Sequence, residues 1–266
     1  MDGRRESLTG GLTRAWTGAL ADLVLPRTCA GCGRPGAVLC RRCAVLLTVP
    51  SVAAPRRFPE GFPPTVAAGA YAGPVRPAVI AFKERGRSEL AHPLGAALAL
   101  AVAAVVSGVP PGGPLSGPVL LVPVPSSAAA LRTRGRDHVR ELTGRAVAEL
   151  RAAGVAASEA RMLRRRGRLR DSAGLSAAQR RTNLAGTFEP AGGRRRSGLL
   201  VLVDDVVTSG ATLTEAAAVL AADGPPDAPP VLAAVVAATP RSAPAGTPGY
   251  GTGPPVDQLS GPRIRD

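Results

Sequence analysis

Apolar and polar positions alternate along this chain in blocks that predict strands and helices in turn. The five-residue run at 199–203, Leu-Leu-Val-Leu-Val, has the length and β-branching of a buried parallel strand, and residues 213–222 have the Ala/Leu/Glu composition of a following helix. The same reading gives a short strand to Tyr71, helices at 76–84, 89–106 and 137–153, and strands at 119–122 and 231–238. Ser176 and Gln179 form a capping-box pattern before 180–184. Such alternation predicts an α/β fold, a mostly parallel sheet flanked by helices, with ligands bound beyond the carboxyl ends of its strands.

The ends of the chain read differently. Leu8, Leu12, Trp16, Leu20 and Leu23 recur at three- and four-residue steps, an apolar stripe expected to pack on the cysteine-bearing segment after it. Pro50, Pro55, Pro59, Pro63 and Pro64 mark 48–64 as a linker, and eleven Pro and Gly residues in 240–266 mark a disordered tail. The expected organisation is an N-terminal unit at 1–47, the linker at 48–64, a main domain at 65–239 and the tail at 240–266.

Composition narrows the chemistry. The 266 residues are 45% hydrophobic but only 3% aromatic, so Ala, Val and Leu must build the core. Net charge is +14, and Lys83 is the one lysine among 33 basic residues; an arginine excess suits anionic partners such as nucleotides, pyrophosphate or nucleic acid. Base-composition bias explains the same excess, so charge alone decides nothing. The apolar stretch 94–106, at 13 residues, is short of the roughly 18–20 needed to span a bilayer, and no secretory signal is evident. A cytoplasmic protein without membrane insertion is expected.

All four cysteines fall in CAGCGRPGAVLCRRC, as Cys29, Cys32, Cys40 and Cys43. Two C-x-x-C turns separated by seven residues offer four thiolates for a tetrahedral site suited to structural zinc, Zn2+. Two disulfides and an iron–sulfur cluster are the competing readings.

The strand at 199–203 runs into Asp204 and Asp205, then Thr208, Ser209, Gly210, Ala211 and Thr212. Small and hydroxylated residues let backbone N–H groups approach a phosphate at the helix N-terminus, and an attached ribose would lie beside the carboxylates. The plain alternative is an ordinary strand-to-helix turn with a solvated acidic pair. No Gly-Lys-Ser/Thr follows, so a Walker-type loop is the poorer match. A second constellation, 119–136, ends a strand in Pro123-Val124-Pro125, offers Ser126 and Ser127 to another phosphate group, and adds Arg132, Arg134 and Arg136. Lys83 is either a phosphate contact or part of a solvated face beside Glu84 and Arg85. His138 is expected on a helix surface, and His92 is expected to be structural.

The acidic pair and its loop resemble the phosphoribosyl pyrophosphate (PRPP) motif of type I phosphoribosyltransferases. With the cysteines included, the order of motifs resembles the ComF family, a branch of those enzymes linked to uptake of single-stranded DNA. The likeness covers roughly 16–239 and includes Tyr71-Ala72-Gly73, Phe82-Lys83, Arg85-Gly86-Arg87, Pro123-Val124-Pro125 and Arg134-Gly135. It continues through Gly174-Leu175-Ser176, Arg180-Arg181-Thr182-Asn183-Leu184 and Phe188. The resemblance implies a type I phosphoribosyltransferase fold with a small N-terminal four-cysteine zinc knuckle, in which Asp204 and Asp205 hold the ribose hydroxyls. The loop would hold the 5′-phosphate, and Ser126, Ser127, Arg134 and Lys83 would line the substrate site. It further implies Mg2+ with PRPP or a phosphoribosylated small molecule, phosphoribosyl transfer with release of pyrophosphate, and a homodimer. A non-catalytic factor binding single-stranded DNA is the alternative. The chain departs from the family pattern at Arg136-Asp137-His138, usually an aromatic residue, Asn and Gln, and at Ser172, usually Gln.

Overall fold

The computed structural model describes residues 27–54, 59–109, 117–166, 186–191, 198–225 and 229–240. The apolar stripe before Arg27, the capping-box segment and the tail beyond Pro240 lie outside the described residues.

Eight strands are described: β1 (Ser51–Val52), β2 (Thr65–Ala70), β3 (Val119–Pro123), β4 (Ala157–Glu159), β5 (Leu163–Arg165), β6 (Phe188–Pro190), β7 (Leu199–Val207) and β8 (Leu232–Ala238). The helices are α1 (Arg41–Ala44), α2 (Val75–Glu84), α3 (Ala91–Ser107), α4 (Ala128–Arg134), α5 (His138–Ala152) and α6 (Ala211–Ala222). Six strands form one sheet in the order β1-β2-β8-β7-β3-β4, parallel except for the β1–β2 pair, while β5 and β6 make a separate antiparallel hairpin. The α/β architecture expected from alternation is therefore present. Residues 51–52, expected in the linker, instead pair with β2 at the sheet edge.

Both faces of the sheet are covered, as parallel strands require. Leu199, Val201 and Val203 of β7 join Leu94, Leu98 and Leu142 in a core under α2, α3 and α5. Leu200 and Leu202 join Leu213, Leu220 and Phe188 in a second core under α6 and the hairpin. Period-two alternation along β7 thus divides its side chains between two cores.

The stretch Ser88–Ser107, 20 residues with a hydropathy of 1.9, is longer than the 13-residue apolar run suggested and satisfies the length and composition of a membrane span. In this fold it is a core helix. Leu90, Leu94, Leu98 and Val102 are fully buried in the core that α3 shares with β2, β8 and α5.

The chain crosses from β3 to β4 towards one edge of the sheet and from β7 to β8 towards the other, with α5 on one face and α6 on the opposite face. The carboxyl ends of β3 and β7 therefore flank a topological switch point, where a parallel sheet opens a crevice.

Candidate functional site

Two centres are built from the residues singled out by the sequence. The first is the cysteine cluster. Cys29 starts a turn closed by Gly33 N–H donating to the Cys29 carbonyl at 2.8 Å, and Cys40 precedes the short helix α1. The four sulfurs lie within 4.8 Å of one another, and Cys32 Sγ is 3.6 Å from Cys40 Sγ. A tetrahedral ion with metal–sulfur bonds near 2.3 Å sets sulfurs about 3.8 Å apart, so the four ligands fit zinc. All four thiols are free, so the protein does not adopt the disulfide alternative. A multi-iron cluster would hold the sulfurs farther apart than a single ion does.

Burial raises the Cys29 thiol, but N–H groups of Cys40, Cys32 and Gly31 outweigh it and bring it down to about 6. Burial and the neighbouring thiols push Cys43 up instead. Metal binding deprotonates all four and removes that opposition.

The cluster is not a free-standing unit. Ala30, Val38 and Leu39 pack on the core beneath α2 and α3, and Leu47 belongs to it. A side chain at Gly31 would meet the Pro74 carbonyl at 2.8 Å and Cys43 Sγ at 3.0 Å, so glycine allows the knuckle to sit against the start of α2. The other end of that helix carries Phe82, Lys83 and Glu84 to the second centre.

The second centre lies at the ends of β3 and β7. Strand β7 does not stop at Val203; it continues through both acids to Val207, paired to β8 as far as Val207 opposite Ala238. Adjacent residues leave a strand on opposite sides, yet at this strand end the Asp204 and Asp205 carboxyls stay close enough to interact.

Asp205 shares its side with α2 and α5 and is only 2% exposed. Its Oδ2 accepts from Lys83 Nζ at 2.9 Å and from His138 Nε2 at 3.0 Å, while Oδ1 accepts the Val206 N–H at 2.8 Å. Burial would raise this carboxyl, but the His138 hydrogen bond and the Lys83 ammonium together hold it well below the usual carboxylate range. Lys83 is raised in turn, the attraction of Asp205 and Asp204 exceeding its own desolvation. His138 is thus a correction to the sequence reading: it is 3% exposed rather than on the helix surface, and Phe82 meets its ring edge-on at 6.3 Å.

Asp204 faces α6 and the hairpin. Its Oδ1 accepts the Asp205 N–H at 2.8 Å, and the side chain keeps a partly open surface although protein atoms crowd around it. Burial, reinforced by the charge of Asp205, pushes its carboxyl up to about 8. On the same side Arg165 donates to the Pro125 carbonyl at 2.9 Å and stacks 5.1 Å from the centre of the Phe188 ring.

The Asp204 shift has a defined sign. A carboxyl that titrates near 3.8 unfolded and near 8 folded keeps its proton preferentially in the folded state, so its stabilising share is complete below about pH 4 and lost as pH rises to about 8. Melting curves are expected to show a midpoint falling over that window, and Asp204→Asn is expected to flatten the fall and melt higher at pH 8. Each kcal/mol shifts the midpoint by roughly 2–4 °C in a chain of this size. Parallel pH profiles for parent and variant would contradict the assignment.

Past β7, Thr208 and Ser209 are exposed, and Gly210 takes φ 79°, a left-handed conformation that favours glycine, before α6 begins at Ala211. Ala211, Thr212 and Leu213 therefore lie in the first turn of α6, whose N–H groups have no intrahelical acceptor. The helix begins two residues earlier than its composition suggested. Glu215 in α6 accepts the N–H groups of Gly186 at 2.6 Å and Thr187 at 3.2 Å, tying the approach to β6 to the loop helix.

The β3 side is more self-contained than its sequence implied. Ser127 Oγ accepts the Ala130 N–H at 3.1 Å and caps α4, while Ser126 donates to Asp137 Oδ1 at 3.3 Å. Arg134 grips Glu84 with two bonds of 2.7 and 3.0 Å, and Arg136 pairs with Glu141 and donates to the Phe82 carbonyl at 2.8 Å. Arg134 thus ties α2 to α4, and Arg136 braces α2 against α5. His92 is exposed, with Nε2 3.8 Å from Glu149.

Sequence reasoning placed Asp204, Asp205, Lys83 and the loop in one neighbourhood, but it missed His138, Arg165 and Glu215 as its supports. Their contacts bridge residues far apart in the chain, and no local pattern announces them. In comparisons with protein-family models and with curated proteins, no match to this chain was found.

Proposed function

We propose that this chain is a ComF-like protein whose sheet is a type I phosphoribosyltransferase domain binding PRPP, or the ribose-5-phosphate part of a small molecule. The observation that carries the reading is the Thr208–Gly210 turn. It leaves β7 at the switch point, takes φ 79° at Gly210 and opens the 12-residue helix α6 beside a carboxylate. N–H groups without an intrahelical acceptor and the helix dipole favour the 5′-phosphate there, the Ala211 N–H turning from its long 3.4 Å bond to Ser209 Oγ, while a neighbouring acceptor suits a ribose hydroxyl.

In catalysis, phosphoribose would pass from PRPP to a nucleophile attacking C1′, with the C1′–O bond breaking and pyrophosphate leaving. The loop would fix the phosphate and Asp204 a hydroxyl, so that the positive charge developing at C1′ meets an already ordered site. Mg2+ asks for hard oxygen donors and would accompany the pyrophosphate; Asp204 would offer such an oxygen at the crevice on releasing its proton to the cation's charge. The competing reading, a factor that binds single-stranded DNA without turnover, draws on the exposed Arg34, Arg41 and Arg42 beside the cysteines. Magnesium-dependent release of pyrophosphate distinguishes the two.

Calorimetry with PRPP and Mg2+ tests the cradle. The parent is expected to bind, and Gly210→Val is expected to lose binding, because a β-branched residue disfavours φ 79° and its side chain fills the phosphate position. Circular dichroism should show the sheet and helices retained. A parent that binds no PRPP, or a Gly210→Val variant that binds it equally well, would refute the cradle.

A further inference from the structure

We infer that the two adjacent acids divide their labour: Asp205, clamped by Lys83 and His138, positions the end of β7, and Asp204 alone meets the ligand hydroxyls. The inference rests on the cradle reading and deepens it. Adjacent acids before a phosphate loop suggest two carboxylates acting on one sugar, but here the two carboxyls meet each other and only that of Asp204 keeps an open surface.

Asp205 has no capacity to spare. A carboxylate offers about four lone-pair positions. Lys83 Nζ lies 2.9 Å from Oδ2 and 3.3 Å from Oδ1, His138 Nε2 lies 3.0 Å from Oδ2, and the Val206 N–H reaches Oδ1 at 2.8 Å. At 2% exposure, a sugar could reach Asp205 only by displacing the Lys83 ammonium or an imidazole that would then be left buried without its partner. Asp204 differs on each count. It accepts the Asp205 N–H and meets the Asp205 carboxyl, but the hydrogen bonds of Lys83 and His138 go to Asp205 rather than to it, it keeps a partly open surface, and its charge is felt by Arg165.

His138 is the key to the clamp. Nε2 faces an acceptor and so carries the hydrogen, and Nδ1 is buried without a partner among the described residues. The imidazole is therefore committed to Asp205 through one nitrogen. It stands first in α5, directly after the helix-capping Asp137, so the clamp joins α5, α2 and β7 through one carboxylate. His138 and Lys83 are positioning residues: they hold Asp205, Asp205 holds the strand end, and the strand end sets Asp204 and the loop.

The affinity of ribose 5-phosphate relative to inorganic phosphate measures the hydroxyl contacts separately from the phosphate cradle. Calorimetry with both ligands on the parent, Asp204→Asn, Asp205→Asn, His138→Leu and His138→Gln tests the division. The parent is expected to prefer ribose 5-phosphate, and Asp204→Asn to lose that preference by about tenfold or more while holding phosphate and melting no lower than the parent. Asp205→Asn and His138→Leu should melt lower and bind both ligands more weakly by a common factor, leaving the ratio within about twofold of the parent. His138→Gln keeps a donor towards Asp205 and should recover much of both affinities. Should Asp205→Asn fail to fold, the two His138 variants carry the same test. Loss of the ratio in Asp205→Asn or His138→Leu, or its survival in Asp204→Asn, overturns the division. A parent that binds neither ligand refutes the cradle itself, and a parent that binds phosphate but shows no preference refutes only the hydroxyl contact.

Discussion

Purified protein is expected to carry about one zinc per chain, following the four-ligand rule, and removing it should have the largest effect of any single perturbation. Structural zinc contributes on the order of 10–16 kcal/mol of apparent binding free energy in small zinc-dependent peptides. Here the interior of the knuckle has little else to hold it together. Cys29 and Cys43 are buried, but the intervening turn is exposed and glycine-rich, with few apolar side chains of its own. Chelation or Cys40→Ser should therefore disorder residues near 29–43. The effect should also reach the sheet, because Ala30, Val38 and Leu39 pack on the main core and Arg87 donates to the Thr28 carbonyl at 2.9 Å. A melting midpoint lowered by many degrees for the whole chain, restored by added zinc, is the expected result. Elemental analysis without metal, or a Cys40→Ser variant melting with the parent, would count against it.

Phe82→Ala is expected to be the most damaging substitution in the core near the site. Phe82 is fully buried, and truncating a phenylalanine in such a place costs about 3–5 kcal/mol. The ring also does more than fill space. Arg136 lies 4.3 Å above its centre and His138 meets its edge, while the Phe82 carbonyl receives the Arg136 guanidinium. Loss of the ring frees two groups that brace α2 against α5, and Lys83 is the next residue. Urea unfolding should give a lower midpoint, and ligand affinity should fall along with it. A variant with parent-like affinity and a stability loss below about 1 kcal/mol would show that the cavity collapses harmlessly, outside the usual range for such truncations.

Long periodic segments were legible from the amino acids. Strands β3, β7 and β8 and helices α2, α3 and α5 begin within about two residues of where apolar spacing put them, since a buried face several turns or pairs long leaves a repeated mark. Strands β4, β5 and β6, three residues each, are too short to leave one, and β1 is hidden among prolines. The end of β7 was misplaced because aspartate disfavours strands; pairing with β8 carries the strand through both acids regardless.

Within the site, the ligand types and their order can be read directly along the chain: four thiols in two C-x-x-C turns, two acids, then a small-residue loop opening a helix. These are local features, set by spacing. What each group faces came from the folding of distant segments onto one another. That folding closed Asp205 in while leaving Asp204 partly open, buried His138 against a carboxylate 67 residues away, and drew Lys83 from 122 residues away to the same atom pair. It also joined the knuckle to α2. The charge state and availability of a polar side chain depend on burial and on partners brought by other elements, and those contacts form across distances that no local periodicity encodes.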